Sequence, residues 1–477
     1  MFVRELSEFR PRIYTNEHES AIDNEIIRVD SRVFVAEKGF DVGFRDFEMK
    51  TMLIKNGRLL DPSQELDDHY DLLVKDGLIE EIAPRGRLQA TAEQVIDAAG
   101  LVVSPGFIDI HVHLREPGQS HKETIATGTM AAAAGGFTAV CAMPNTDPIN
   151  DAPAITRWMQ DPERQAKVNV FPIAAATVGS MGEKLSDYVA LQRAGAVAVS
   201  DDGKPILQEK IMRQALLAAS RLNMMVVQHS EDTRMTAGAV MNAGPAAFRR
   251  GLRGWASEAE SSIVKRDIEL AAETKGHLHV AHLSTTAALE AVREAKREGL
   301  HVTCEVTPHH FVLIDEDVHA YDTNFKMNPP LRTHADREAL LAVIADGAVD
   351  CIATDHAPHA HNEKNTEFDL APFGITGLET ALGLCISILH QQRKVPLKRI
   401  IELLSVDPAR VFGLKGRGSL APKSYADITI FDPAKKWTYH AAKSLSKSKN
   451  SPFDGWKLQG RVVMTVVGGE VVFRDSL

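Results

Sequence analysis

Along most of the chain, short apolar runs rich in Val, Ile and Ala alternate with stretches whose apolar residues recur at helical spacing. The runs are GFIDIHVHL (106–114), TAVCAMP (138–144), VNVFPIAA (168–175), AVAVSDD (196–202), MMVVQHS (224–230), HLHVAHLS (277–284), HVTCEVT (301–307) and CIATDHAP (351–358). The first five follow one another at roughly 30-residue intervals, the size of a strand–helix unit. Between them, segments such as KETIATGTMAAAAGG and QEKIMRQALLAASRL carry the one-sided apolar stripe of a helix lying on a sheet. Near-continuous apolar strands suit a sheet covered on both faces, so the pattern predicts an α/β fold, a (β/α)8 TIM-type barrel over residues 105–418. The alternative is an open doubly wound sheet, but no GxGxxG turn follows the first strand.

Outside this region the period changes. Residues 52–104 read as short strands joined by turns, with KNG and KDG as hairpin signals among Leu, Ile and Val. Residues 419–477 look similar, with ADITIFDP and then GRVVMTVVGGEVVFRD around a Gly-Gly turn. Two β-rich ends flanking an α/β middle predict one small composite β-sandwich domain. Residues 1–51 are polar, charged and weakly periodic, and read as an N-terminal extension, a flexible arm.

Composition narrows the class of partner. A length of 477 residues suits one barrel plus a smaller domain. The net charge of −10 repels nucleic acid and anionic membrane, which leaves a small molecule as the expected partner. The cysteines, Cys141, Cys304, Cys351 and Cys385, form no CxxC pair, and three lie in strand-like runs. They read as buried thiols suited to a reducing cytoplasm. The opening MFVRELSEFRPR lacks the apolar core of a signal peptide, and no run reaches membrane-spanning length.

Residues able to bind metal sit at the ends of the apolar runs. His111 and His113 close the first, Asp202 the fourth, His229 the fifth, His282 the sixth and Asp355 the eighth. On a strand, positions i and i+2 point the same way, so both histidines of HVH can face the barrel axis. The helical alternative, HExxH, does not occur. Imidazoles and carboxylates suit zinc or a similar divalent ion. Six such groups exceed the needs of one four-coordinate ion and suit two that share a bridging carboxylate. Taken singly, each His is more readily a hydrogen-bonded rim residue; the shared strand-end position carries the reading. Asp355 ionised in an apolar setting would need a cation beside it.

GFIDIHVHLREPGQSHKE, GGFTAVCAMPNTDP, SDDG, QHSED, HVAHLST, EVTPHH, KMNPPLR, ATDHAPH and APFGITGLET together resemble the motif series of bacterial dihydroorotases. They occur in that order and cover nearly all of residues 52–477. The resemblance implies the reversible cyclisation of N-carbamoyl-L-aspartate to (S)-dihydroorotate in pyrimidine biosynthesis, with two zinc ions. His111, His113 and Asp355 would hold one ion, His229 and His282 the other, and Asp202 would bridge them. Many relatives bridge with a carboxylated lysine on the fourth strand; AVAVSDDG offers none before Asp202, and Lys204 lies past the turn. Asp201 is the rival bridge. Ser230 stands in QHSED where many relatives have cysteine. Asp355 would also serve as the acid/base. The resemblance further implies a homo-oligomer associated with other pyrimidine-pathway enzymes.

Arg115, two residues past His113, continues the same face toward the mouth, where a guanidinium can take a carboxylate bidentately. Both dihydroorotate and carbamoyl aspartate carry one; allantoin and simple hydantoins do not. The resemblance adds His113, Asn145 and His359 around that group, Asn328 at the ring amides, and the backbone of Phe373 and Gly374. The plain alternatives are an ion pair for Arg115 and turn formation for Asn145 and Asn328 beside Pro144 and Pro329. The stretch 359–374 reads as a lid or as a simple connector. The rival activities are allantoinase, hydantoinase and a non-catalytic scaffold that has lost its ligands. No GxxxxGK[ST] loop marks a phosphate site, and GLKGRGSL reads as the turn back to the β domain.

Overall fold

The computed structural model describes residues 27–29, 32–34, 50–88 and 90–475. Eight parallel strands succeed one another around the barrel: β1 (Phe107–Val112), β2 (Phe137–Ala142), β3 (Asn169–Ala175), β4 (Ala198–Ser200), β5 (Met225–Gln228), β6 (His277–Val280), β7 (Val302–Val306) and β8 (Cys351–Ile352). The ring closes just past β8, where Val112 bridges His356 and the His113 N–H donates to the His356 carbonyl at 2.9 Å. First and last strand therefore meet at the height of the candidate ligands.

Strand parity sorts the side chains. Ala198, Met225, Val227, Cys351 and Ala353 share the parity of Asp202, His229 and Asp355, and join Cys141, Ile173 and Phe412 in one buried cluster inside the barrel. Alanine and cysteine side chains there, interleaved with larger ones such as Met225 and Ile173, fill the interior around which the strands curve. Val199 and Val226, of the other parity, pack outward on helix residues including Leu216, Leu289 and Val292, as do Leu278 and Val280, whose parity His282 shares; the left-handed backbone at His282 (φ 30°) breaks the alternation there. All four cysteines are buried free thiols. Among the described residues no helix is long and apolar enough to cross a membrane.

The two β-rich ends form a single nine-stranded sheet, joined where Ile428–Thr438 pairs antiparallel with Val102–Pro105. Leu66–Lys75 curls it: its first half pairs with Arg58–Asp61 and its second half with Thr51–Lys55 and Leu78–Pro84. Side chains from both halves, among them Leu59, Leu72, Ile430 and Met464, share one core. The strand begins at Thr51, one residue inside the expected arm; most of that arm lies outside the described residues. Strands Ile27–Val29 and Arg32–Phe34 pair antiparallel.

The C-terminal β segment is not continuous. Between Ile428–Thr438 and Lys457–Val467, residues 439–456 form no strand and run to the barrel mouth. SLSKSKNS has neither the alternation nor the apolar content to extend the sheet.

Phe107 lies where barrel and sheet meet, with no exposure, its ring 6.0 Å from Phe137 and 6.1 Å from Phe431. Phe107→Ala should cost about 3–5 kcal/mol, read as a lowered urea-unfolding midpoint; an unchanged midpoint would show that this contact does not hold the sheet to the barrel.

Candidate metal centre and pocket

All six strand-end residues converge. Asp202 stands at the middle, with its two oxygens divided: Oδ1 faces His111 Nε2 at 3.5 Å, His229 Nδ1 at 3.7 Å and His282 Nε2 at 3.8 Å, while Oδ2 faces His113 Nε2 at 3.6 Å. Asp355 Oδ1 lies 3.0 Å from His113 Nε2 and 3.6 Å from His111 Nε2. His229 Nδ1 and His282 Nε2 are 2.9 Å apart. Two overlapping ligand sets result, His111–His113–Asp355 and His111–Asp202–His282. Asp201 is turned away: its carboxylate accepts from the Thr177 N–H at 2.9 Å and from the Thr177 hydroxyl.

The cluster fits a cation. His111 Nε2 is buried with no hydrogen-bond partner, while Nδ1 is fixed by Glu305 Oε1 at 2.6 Å. An imidazole held by a carboxylate on one nitrogen, with the other directed at two more carboxylates, is the usual arrangement of a metal-binding histidine. Burial lowers the His111 pKa, but Glu305 and Asp202 outweigh it and hold it well above the ordinary value. Burial likewise opposes ionisation of Asp202 and Asp355, yet the facing imidazoles, His111 foremost, keep both below the usual carboxylate range. So many buried charges need compensation, by protons on the rings or by divalent cations.

The backbone is strained at this mouth. Arg115 (φ 60°), His282 (φ 30°) and Asp355 (φ 47°) all take left-handed conformations without being glycine, a cost that surrounding contacts must sustain.

A cavity of about 340 Å³ opens above the cluster, lined by His113, Arg115, Asn145, Asp202, His229, His282, Asn328, Asp355, His359, Phe373 and Gly374 among others. Arg115 is buried there; its Nε donates to the Pro358 carbonyl at 3.1 Å, and it makes no ion pair among the described residues. Burial lowers its pKa to about 10, which leaves it charged at neutrality. Asn145 holds ligands as well as lining the cavity: Oδ1 is 2.8 Å from His113 Nδ1, and Nδ2 donates to Asp202 Oδ2 at 3.2 Å. Asn328 Nδ2 donates to Glu231 at 3.0 Å, and its buried Oδ1 has no partner. His359 Nε2 donates to the Phe373 carbonyl at 2.8 Å; burial and the Arg115 guanidinium push its pKa down to about 2, so the ring is neutral. The Phe373 ring packs edge-on against Trp255, with the Lys326 ammonium 4.6 Å from its centroid. Gly374 lines the cavity, but its N–H is committed to the Lys326 carbonyl at 2.9 Å. From the 359–374 stretch, His359, Pro372, Phe373 and Gly374 form a wall of the cavity, while residues between them such as Leu370 are exposed.

Three carboxylates received no role in the sequence reading. Glu305 positions His111 and accepts from the His282 N–H at 3.2 Å. Glu231 accepts from His229 Nε2 at 2.9 Å and joins that ring to Asn328. Glu123 sits beside His356 at 3.5 Å. The signal for Glu305 was present, an acid inside the apolar strand VTCEV; Glu231 and Glu123 lie in quoted motifs without a comparable mark.

Comparisons with known proteins agree with this geometry. The family model described as Dihydro-orotase-like matches residues 100–288, and that described as Amidohydrolase family matches residues 239–473. A protein from Citrifermentans bemidjiense named Dihydroorotase is 48% identical over 424 residues, covering 89% of this chain and 99% of its own. One of the same name from Geobacter sp. strain M21 is also 48% identical, with the same coverage. Among solved structures, the L-hydantoinase (dihydropyrimidinase) of Arthrobacter aurescens superposes with a TM-score of 0.78 at 26% identity, covering 89% of this chain and 96% of its own.

Glu305→Gln should weaken divalent-metal binding on the order of 10–100-fold, measured by chelator competition; unchanged affinity would remove Glu305 from the site's support. A metal must displace the proton that the raised pKa keeps on His111. Metal affinity should therefore fall steadily as pH drops from neutrality, and an affinity independent of pH would contradict that.

Proposed function

This chain belongs to the dihydroorotase family of amidohydrolases, and we propose that its mouth cluster is a two-zinc centre that opens and closes the ring amide of dihydroorotate. The protein is a cyclic-amide hydrolase, and its reaction is the reversible conversion of N-carbamoyl-L-aspartate to (S)-dihydroorotate and water in pyrimidine biosynthesis. The observation that supports the substrate is Arg115, a buried guanidinium with no ion pair among the described residues, in the same cavity as the candidate metal cluster. A charge in that position needs an anionic partner, and the carboxylate common to both reactants is one. Hydantoin and allantoin have none.

His111, His113 and Asp355 would hold one ion and His229 and His282 the other, with Asp202 reaching both through its divided oxygens. Bound there, the ions would supply a Lewis acid for the ring carbonyl and a water acidified toward a pKa of about 7. Asp355 is ionised at neutrality and faces the cavity. In hydrolysis it accepts the proton of the attacking water and passes it to the departing ring nitrogen. In cyclisation it takes the proton from the ureido nitrogen and delivers it to the departing carboxylate oxygen, which leaves as hydroxide and becomes water on taking up one further proton from solvent. Arg115, with neutral His359 beside it, anchors the carboxylate, and Asn328 Oδ1 accepts from a ring N–H. Asn145 acts chiefly on His113 and Asp202, keeping both aimed at the metals. The wall formed by His359, Pro372, Phe373 and Gly374 shields the reacting amide from water. We place the enzyme in a reducing cytoplasm, on the four buried free thiols, and assign it a homo-oligomeric state associated with other enzymes of the pathway by family analogy.

The direct test is turnover of dihydroorotate against hydantoin and allantoin, before and after chelation and after zinc is restored. Turnover of dihydroorotate alone, abolished by chelation and recovered with zinc, is expected; preference for hydantoin would replace the assignment. Asp355→Asn should remove nearly all turnover with the fold intact, and wild-type-like turnover would exclude the acid/base role. Arg115→Met should raise KM at least on the order of a hundredfold, from a lost charge-assisted pair of about 3 kcal/mol; an unchanged KM would detach the carboxylate from Arg115.

A further inference from the structure

The segment between the last long strands crosses to the barrel mouth and is fastened there by two carboxylates, buried Glu123 and half-buried Glu379. Glu379 accepts from the Ser444 hydroxyl at 2.7 Å and the Leu445 N–H at 2.6 Å. Glu123 accepts from the Ser446 hydroxyl and from the Lys447 N–H at 3.0 Å. Beyond these anchors the chain delivers one side chain, Asn450, behind the wall of the pocket, where it is 5% exposed.

The Asn450 amide is fully used. Its Oδ1 accepts from the His359 N–H at 3.0 Å, and its Nδ2 donates to the carbonyls of Ala357 at 3.1 Å and Gly374 at 3.0 Å. All three partners line the cavity. They come from two stretches of chain that must stay in close contact: Gly374 has φ 129°, and a Cβ there would lie 2.7 Å from the Ala357 Cβ and 3.2 Å from His359 Nε2. A group that ties one stretch to the other sets the distance between His359 and Phe373 and thus the width of the carboxylate end of the pocket.

We propose that Asn450 is a positioning residue for substrate binding, by which the C-terminal strap fixes the pocket wall formed by Ala357, His359 and Gly374. It touches neither the metal cluster nor the reacting amide. The role rests on the substrate pocket assigned above. Its signature is a change in ground-state binding: a wall displaced by a fraction of an ångström loosens substrate and transition state alike, so KM rises and kcat holds.

The test compares wild type, Asn450→Ala, Asn450→Asp and Ser446→Ala by steady-state kinetics with dihydroorotate, metal content and thermal unfolding. Asn450→Ala should raise KM on the order of tenfold with kcat within about threefold and with full metal content. Asn450→Asp keeps the volume and the acceptor for His359 but turns an oxygen onto two carbonyls; it should raise KM at least as much, and it decides the matter where the alanine variant does not fold. Ser446→Ala, which loosens the anchor that delivers Asn450, should lower the unfolding temperature and raise KM less than either Asn450 variant. Wild-type KM in a folded Asn450 variant, or loss of metal together with kcat, would overturn the role. Inactive wild-type enzyme would strike the activity assignment itself, whereas active wild type with an unaffected Asn450→Ala would strike this role alone.

Discussion

The structure depends on one electrostatic constraint: four imidazoles and two carboxylates are buried together at the mouth of a barrel, too far from bulk water to be charged without a counterpart. Everything near them serves to tolerate that concentration. Glu305 and Glu231 sit behind His111 and His229, Asn145 spans His113 and Asp202, and the strand interiors below are filled with apolar side chains. Divalent cations bound as proposed would resolve the charge conflict and turn it into chemistry, which makes the proposed reaction and the stability of this region one problem.

The fold solves the geometric half of that problem. Parallel strands present their C-terminal ends at one face, so residues separated by hundreds of positions arrive at one point with no local motif needed. The closing bridge between Val112 and His356 falls at the ligand level, and Arg115, His282 and Asp355, all non-glycine residues in left-handed conformations, lie there as well. At these three positions the backbone gives an orientation that regular strand geometry does not.

The barrel was legible in the sequence from short-range periodicity, and so was the convergence of the candidate ligands, except His282, which parity alone would turn outward with Leu278 and Val280. Apolar runs mark strands, and parity along a strand says which neighbours of Asp202 or His229 face inward. Arg115 was legible for the same reason, being two residues beyond His113. The choice between Asp201 and Asp202 was open to motif likeness alone; in the structure Thr177 occupies Asp201 and leaves Asp202 to the centre. Asn145 drew attention as a substrate residue, but its amide is spent largely on His113 and Asp202, a contact across strands that no spacing announces. Asn450 left no trace at all, since its partners lie 76 to 93 positions away and its own segment is polar and aperiodic. The remaining ambiguity, barrel strands against open sheet, was settled by the single bridge that closes the ring.

The most direct measurement is anomalous diffraction at the zinc edge from crystals of the zinc-loaded enzyme. Two peaks are expected, one among His111, His113 and Asp355 and one beside His229 and His282, with Asp202 between them. A single peak, or peaks away from Asp202, would contradict the two-ion centre on which the proposed chemistry depends.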